Sequence, residues 1–243
     1  MCGIVGIIGE DNESFIKKAN GKITHRGPDS EGFFNENNIS LGHQRLSILD
    51  LSELGNQPMF DESKEWVIVF NGEIYNHLDL RKELENKYTF KSHSDTETVL
   101  YGFIEYKEQL FERLNGIFAF AIFNVKTKDL YIVRDHFGLK PLYYYKEDDL
   151  LLFSSEIKAI CEHPKLKKDI DYKALVNYLN FLWSPEEQTP LKFVKKLKPG
   201  HYIKANAIDL TQFSICQYYE IPFDGTYTTK TEEELIEELD QKL

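Results

Sequence analysis

The sequence predicts an α+β fold in which antiparallel sheets are covered by helices. Three observations carry this. Strand-like runs outnumber helical ones. Strand pairs are joined by short polar links, as in hairpins. The helical stretches are grouped, around 75–107 and 155–182, rather than alternating with single strands as a parallel sheet would require.

The elements follow in order. Ile4-Val5-Gly6-Ile7-Ile8 is apolar at nearly every position and reads as a strand buried on both faces. Residues 11–20 read as a short polar helix ending at Gly21. His25-Arg26-Gly27-Pro28-Asp29 reads as a loop, because Gly-Pro breaks both regular structures. Residues 39–49 alternate enough for a strand, and 50–58 is a polar loop with Gly55 and Pro58. Trp66-Val67-Ile68-Val69-Phe70 is a buried strand, and the Asn71-Gly72-Glu73 that ends it has a tight-turn signature. Leu78, Leu80 and Leu84 give 75–87 a helical spacing. Ser94-Asp95-Thr96-Glu97 supplies a cap and an acidic first turn to a second helix. Its apolar face is Val99, Leu100, Phe103 and Ile104.

Strands at 117–125 and 130–133 flank Lys126-Thr127-Lys128-Asp129 as a hairpin. A turn at 134–141 precedes a second strand pair, 142–145 and 150–153. Ser154 or Ser155 is expected to cap a helix reaching about Cys161, and 171–182 reads as another helix. Beyond a loop marked by Pro185 and Pro190, short strands are expected near 195–197 and 201–204. Residues 223–229 read as a linker. Thr231-Glu232-Glu233-Glu234 is a capping box, and Leu235, Ile236, Leu239 and Leu243 share one helical face. No Gly or Pro closes this helix. The expectation is one domain at 2–222, then a linker and the first helix of a further domain at 223–243.

Composition narrows the function. The 243 residues are 42% hydrophobic and 14% aromatic, enough for a sizeable core. Mean hydropathy is −0.43. The formal charge of −11 argues against nucleic acid or an anionic membrane as partner. No apolar run approaches the roughly 20 residues that span a bilayer, and the N-terminus carries no signal-peptide pattern. Cys2, Cys161 and Cys216 form neither a metal-ligand spacing nor an even disulfide set. A reducing cytoplasm with Cys2 free is expected.

Four places offer chemistry. A cysteine directly after the start methionine gains a free α-amine once Met1 is removed. Amine and thiol have reference pKa values of about 7.7–8.0 and about 8.5, so one residue holds a nucleophile and a proton acceptor. The plain alternative is a small residue opening a buried strand. Arg45 lies in a strand otherwise made for burial and needs an acceptor. Either Asp50 or a substrate carboxylate bound by two prongs answers that. Asn71 beside the Gly72 N–H is either a plain turn or a pair of donors of the kind an oxyanion needs. Asp95 is either a helix-start residue or the acceptor for a ligand ammonium. Together they match a substrate with an amino-acid head and an amide tail.

These residues lie in motifs that resemble a known family. The stretches are Cys2-Gly3-Ile4-Val5-Gly6, His25-Arg26-Gly27-Pro28-Asp29, Gly42-His43-Gln44-Arg45-Leu46-Ser47-Ile48, Phe70-Asn71-Gly72-Glu73-Ile74-Tyr75-Asn76, Ser94-Asp95-Thr96-Glu97, Leu114-Asn115-Gly116-Ile117-Phe118-Ala119-Phe120-Ala121 and Arg134-Asp135-His136-Phe137-Gly138-Leu139-Lys140-Pro141-Leu142-Tyr143-Tyr144. The chain resembles, from Cys2 to about Pro222, the glutamine-hydrolysing half of asparagine synthetases. These are class II glutamine amidotransferases with the N-terminal-nucleophile hydrolase fold.

The resemblance implies a four-layer αββα sandwich of two antiparallel sheets. It implies that Cys2 attacks the glutamine side-chain amide, with its own α-amine relaying the proton. Asn71 and Gly72 would hold the oxyanion. Arg45 would take the α-carboxylate, and Asp95 with Glu73 the α-amine. The backbone of Arg45, Leu46, Ser47, Ile48 and Leu49 would line the pocket. Ammonia would pass to a C-terminal synthetase domain that uses ATP and Mg, marked by a Ser-Gly-Gly-x-Asp-Ser phosphate loop. That loop does not occur here, so no metal and no cofactor is expected in this chain. The implied partners are L-glutamine and the synthetase domain, with a homodimer as a candidate assembly. Two alternatives stand beside this: an amidotransferase domain serving another acceptor, such as a cell-surface sugar or secondary metabolite, and a non-catalytic glutamine-binding domain.

Overall fold

The computed structural model describes residues 1–9, 12–36, 38–223 and 225–242. Strand β1 (Gly3–Ile8) is followed by helix α1 (Asn12–Gly21) and the hairpin strands β2 (Ser30–Glu36) and β3 (Ile39–Arg45). Next come β4 (Met59–Phe60) and β5 (Trp66–Ile74), then α2 (His77–Leu84), α3 (Asp95–Tyr106) and the single turn α4 (Leu110–Arg113). Four strands follow: β6 (Gly116–Asn124), β7 (Asp129–Arg134), β8 (Tyr143–Glu147) and β9 (Leu150–Ser154). The remainder is α5 (Ile157–Ile160), α6 (Tyr172–Phe181), β10 (Val194–Lys196), β11 (His201–Asn206), β12 (Phe213–Gln217) and α7 (Glu232–Lys242).

The strands form two six-stranded sheets, in the orders β10-β8-β9-β1-β3-β2 and β12-β11-β7-β6-β5-β4. The pairings within them are antiparallel. Apolar side chains sort into three layers of core. Ile4, Leu41, Val67, Val69, Ile132 and Leu151 fill the space between the sheets. Val5, Ile7, Ile16, Ala19 and Ile160 pack the first sheet onto α1 and α5. Phe70, Val99, Phe103, Phe111 and Phe120 pack the second onto α3 and α4. Each central strand therefore buries both faces, which explains its unbroken apolar reading. The αββα sandwich is the one the resemblance implies.

Several local expectations are corrected. Asn71-Gly72 makes no turn: β5 runs on through both, with Asn71 opposite Ala119 and Gly72 opposite Phe118 of β6. Glycine is needed there for close approach, since a Cβ on Gly72 would lie 2.4 Å from the Ile117 carbonyl oxygen. The strand expected over 39–49 stops at Arg45, where the Leu46 N–H turns to the Cys2 sulfur instead of a strand neighbour. Ser154 and Ser155 do not cap α5, whose N-cap is Glu156 without a side-chain bond. They bind β1 instead: Ser155 Oγ accepts from Ile4 N at 3.0 Å, and Ser154 Oγ donates to Ile4 O at 3.1 Å. Leu78 is exposed while Leu80 and Leu84 are buried.

The cap expected at Ser94 is present: its side chain accepts from Thr96 N. Asp171, expected as the first residue of a helix, instead caps it by accepting from Ala174 N. Thr231 and Glu234 exchange the two bonds of a capping box. Leu235, Ile236 and Leu239 are exposed on α7, and Leu243 lies outside the described residues, as does Asp11 at the start of the first expected helix. On α6 only Ala174 is buried, leaving Val176, Leu179 and Phe181 exposed, together with Leu182 and Trp183 just beyond. No helix among the described residues is long and apolar enough to cross a membrane.

Candidate active site

Strand alternation builds the site. In β1, β3 and β5, the residues that face the other sheet are Ile4, Leu41 and Val69. Stepping two residues along each strand toward one end of the sandwich reaches Cys2, His43 and Asn71, and a further two on β3 reach Arg45. Three polar side chains and a thiol thus converge where the apolar layer between the sheets runs out. A cleft opens there, lined by Cys2, Arg45, Leu46, Ile48, Leu49, Asp50, Gln57, Gly72, Glu73 and Asp95, among others.

Cys2 is held at three points. Its sulfur accepts from Leu46 N at 3.4 Å and faces Leu46 O at 3.6 Å. Its carbonyl accepts from Arg26 Nε at 2.9 Å. Arg26 is itself fixed by Glu156 at 3.0 Å, which also holds His25. Burial pushes the thiol up from its ordinary value, opposed by the Leu46 N–H.

Arg45 is buried, but no carboxylate among the described residues pairs with it. Its guanidinium donates to the Ser52 carbonyl and the Asn56 side chain, both at 2.8 Å, and to the Asp50 carbonyl. The Asp50 carboxylate, the acceptor expected as a structural answer, points elsewhere. It takes Ser52 Oγ at 2.6 Å, Ser52 N at 2.8 Å and His93 N at 2.8 Å. Those bonds hold it at about 2. Arg45 therefore keeps a positive charge that neutral acceptors orient without cancelling. Gly55 makes room for it: a Cβ there would sit 2.3 Å from the guanidinium.

Both polar side-chain atoms of Asn71 are buried without a hydrogen-bond partner among the described residues. An unsatisfied buried amide typically costs about 1–3 kcal/mol, and this one leaves both a donor and an acceptor to offer a bound group. Gly72 adds a second donor. On the edge of β5 away from β6, Phe70 N donates to Gln57 Oε1 at 2.6 Å and Ile74 N to Asp95 Oδ2 at 2.9 Å. Alternation puts the Gly72 N–H on this same edge, between them, where Gly72 lines the cleft.

Glu73 and Asp95 supply negative charge. Burial raises the Asp95 carboxyl to about 7, against the Ile74 N–H bond, and the nearby Glu73 charge raises it further. Glu73 is also raised by burial, while the Lys140 ammonium pulls it down. Lys140 is buried too, and its pKa is lowered.

Of the residues singled out in the sequence, Cys2, Arg45, Leu46, Ile48, Leu49, Gly72, Glu73 and Asp95 meet at the cleft, with Asn71 on the adjoining inner face. Ser47 does not line it; its N–H is turned to Asp29 Oδ2 at 2.8 Å. Sequence reasoning passed over His43, Gln57, Arg26 and Lys140. A histidine and a glutamine within largely apolar or proline-marked stretches were the available signals for the first two.

Comparison with known proteins gives the family and the fold. The family model described as a glutamine amidotransferase domain matches residues 1–219. Asparagine synthetase [glutamine-hydrolyzing] 1 of Bacillus subtilis is 44% identical, over 82% of this chain and 33% of its own. A putative asparagine synthetase [glutamine-hydrolyzing] 2 of Methanocaldococcus jannaschii is 38% identical, over 98% of this chain and 50% of its own. The chain thus spans between a third and a half of these relatives' lengths. A solved structure of glutamine phosphoribosylpyrophosphate amidotransferase from B. subtilis, complexed with ADP and GMP, superposes with a TM-score of 0.68 at 18% identity. It covers 90% of this chain and 50% of that one, and shares the fold.

Proposed function

The chain belongs to the glutamine amidotransferase domain family, and on that premise we propose that it hydrolyses L-glutamine to glutamate and ammonia through a thioester on Cys2. The observation that carries this is the buried, unpartnered Asn71 amide at the same end of the sandwich as the Cys2 thiol.

With Met1 removed, the Cys2 α-amine accepts the thiol proton as sulfur attacks the side-chain carbonyl carbon of glutamine. The carbonyl oxygen becomes an oxyanion, and Asn71 Nδ2 and the Gly72 N–H donate to it. The amine returns the proton to the departing nitrogen, which leaves as ammonia. Water then attacks the thioester, giving glutamate and the free thiol. Arg45 holds the substrate α-carboxylate as a charge-assisted pair. Asp95, with Glu73, holds the α-ammonium. The backbone of Leu46, Ile48 and Leu49 forms the adjoining wall.

The named relatives support a further step: the ammonia serves ATP-dependent asparagine synthesis in a C-terminal domain. In this reading residues 2–222 are the glutaminase domain, and 223–243 lead into the synthetase domain. ATP and Mg would belong to that domain alone, and the protein would work in the cytoplasm, with a homodimer as candidate assembly. The test is an ammonia-release assay on the chain beginning at Cys2, with an electrophilic glutamine analogue and mass spectrometry. Turnover, with label on Cys2 and none on Cys161 or Cys216, is the expected result. Label elsewhere, or no turnover, overturns the proposal.

A further inference from the structure

We propose that His43 is a positioning residue of this site: its bond to the Phe70 carbonyl fixes, across the two sheets, the strand that carries Asn71 and Gly72. The proposal rests on the glutaminase reading above. His43 belongs to the first sheet, on β3, opposite Ile4 of β1 and two residues before Arg45. Phe70 belongs to the second. His43 Nε2 lies 3.0 Å from Phe70 O, and the ring is fully buried.

The strand needs such a strut at this point. The pairing with β4 reaches only to Met59, opposite Ile68, so among the described residues β5 has no strand neighbour on that edge from Phe70 onward. Side chains take over: Gln57 accepts from Phe70 N, Asp95 from Ile74 N, and His43 donates to Phe70 O. The Phe70 carbonyl and the Asn71 N–H share one planar peptide unit. Fixing the oxygen therefore fixes the peptide from which the Asn71 side chain departs.

The tautomer follows from the partner. A carbonyl only accepts, so Nε2 carries the proton and Nδ1 is bare. Nδ1 is buried without a partner among the described residues. Burial lowers the ring to about 4, so it is neutral near pH 7. His43 is a fixed donor and not a proton carrier. Nucleophile and Arg45 sit on one sheet and the oxyanion donors on the other, so this bond helps set the distance between the two halves of the site.

The test uses chains beginning at Cys2, comparing His43→Leu, which has no donor, with His43→Gln, whose amide nitrogen reaches the place of Nε2. Three quantities are measured: kcat and KM for glutamine, the rate of Cys2 alkylation by iodoacetamide, and the thermal midpoint. Alkylation is displacement at a saturated carbon and builds no oxyanion. His43→Leu should lower kcat roughly 10- to 100-fold, the scale of a misplacement of about 1 Å. KM should stay within about threefold, since Arg45 and Asp95 are untouched. Alkylation should keep the wild-type rate, and His43→Gln should recover most of kcat.

Unchanged kcat in His43→Leu overturns the proposal, as does a parallel fall in kcat and alkylation, or a His43→Gln as poor as His43→Leu. If His43→Leu fails to fold, His43→Asn replaces it, because its shorter amide falls short of Phe70. Wild-type chain that is alkylated at Cys2 yet releases no ammonia overturns the glutaminase reading itself. Active wild type with an equally active His43→Leu removes only the role given to His43.

Discussion

The Leu46 N–H points at the Cys2 sulfur across 3.4 Å, and Leu46 directly follows Arg45 in the chain. The residue that would grip the substrate carboxylate is thus one peptide bond from a donor to the nucleophile. In the proposed reading, head-group binding and thiol placement would be coupled through the end of a single strand.

Replacing Arg45 tests the head-group half of that coupling. Arg45→Ala should raise KM for glutamine by roughly 30- to several-thousand-fold, the range for truncating one partner of a buried charged pair. Arg45→Lys should recover little, because a point charge cannot reproduce the fork that meets Ser52 O, Asn56 and the Asp50 carbonyl. Steady-state kinetics separates this from a turnover defect, and a lowered kcat with normal KM would contradict the assignment.

Asn71→Ala should act in the opposite sense. Loss of one oxyanion donor typically lowers kcat by about 10²–10³, with KM little changed. Stability offers a second readout. The Asn71 amide is buried without partners, so Asn71→Leu should melt no lower than wild type while being as inactive as the alanine variant. A large fall in melting temperature would mean that the amide is bonded in the resting fold.

The pH dependence of binding tests Asp95. Its carboxyl titrates at about 7, raised by burial and then by Glu73. Ionised Asp95 accepts an ammonium and protonated Asp95 does not. Glutamine binding to a Cys2→Ala chain should therefore weaken as pH falls below about 7, approaching about tenfold per unit. Calorimetry at pH 5.5 to 8.5 would show this, with an Asp95→Asn chain binding weakly and evenly throughout. For stability the sign is reversed. A carboxyl raised above its ordinary 3.8 favours the unliganded fold fully below about 4, and that contribution is lost as pH rises through 7.

Retention of Met1 should silence the site. With Met1 attached the Cys2 nitrogen is an amide and accepts no proton near pH 7. General-base assistance is typically worth about 10²–10⁴ in rate. Activity should track the fraction of chains that begin at Cys2, measured by intact mass. Full turnover in a preparation that wholly retains Met1 would show that another group is the base.

The apolar strands were legible in the sequence because β1, β5 and β6 bury both faces, giving continuous runs. β2 was not, because its segment Ser30–Glu36 is polar at both ends and only half-buried. β4 has two residues and β12 lies at a sheet edge, so neither imposes a pattern. The misreading of Asn71-Gly72 as a turn is instructive. The pair has turn chemistry, but here glycine answers a close approach by β6, and the asparagine is spent on a buried amide. A strand that breaks local propensity in this way is where a site is to be sought. Pairing partners such as His43 with Phe70 depend on how two sheets face each other. No short-range pattern in the chain encodes that.

The two tryptophans lie in opposite settings, and that gives the molecule a built-in optical contrast. Trp66 packs edge-on against Phe103 at 5.5 Å, with the Lys107 ammonium 4.4 Å above its ring. Trp183, at the end of the bare apolar face of α6, is 58% exposed. Emission from Trp66 should report the integrity of the helix-covered sheet, and emission from Trp183 the wetting of α6. A Trp183→Phe chain would keep the unfolding signal and lose the other. Anything that comes to cover α6 should shift the wild-type spectrum to the blue at temperatures where the fold is intact, and leave that of the Trp183→Phe chain unmoved.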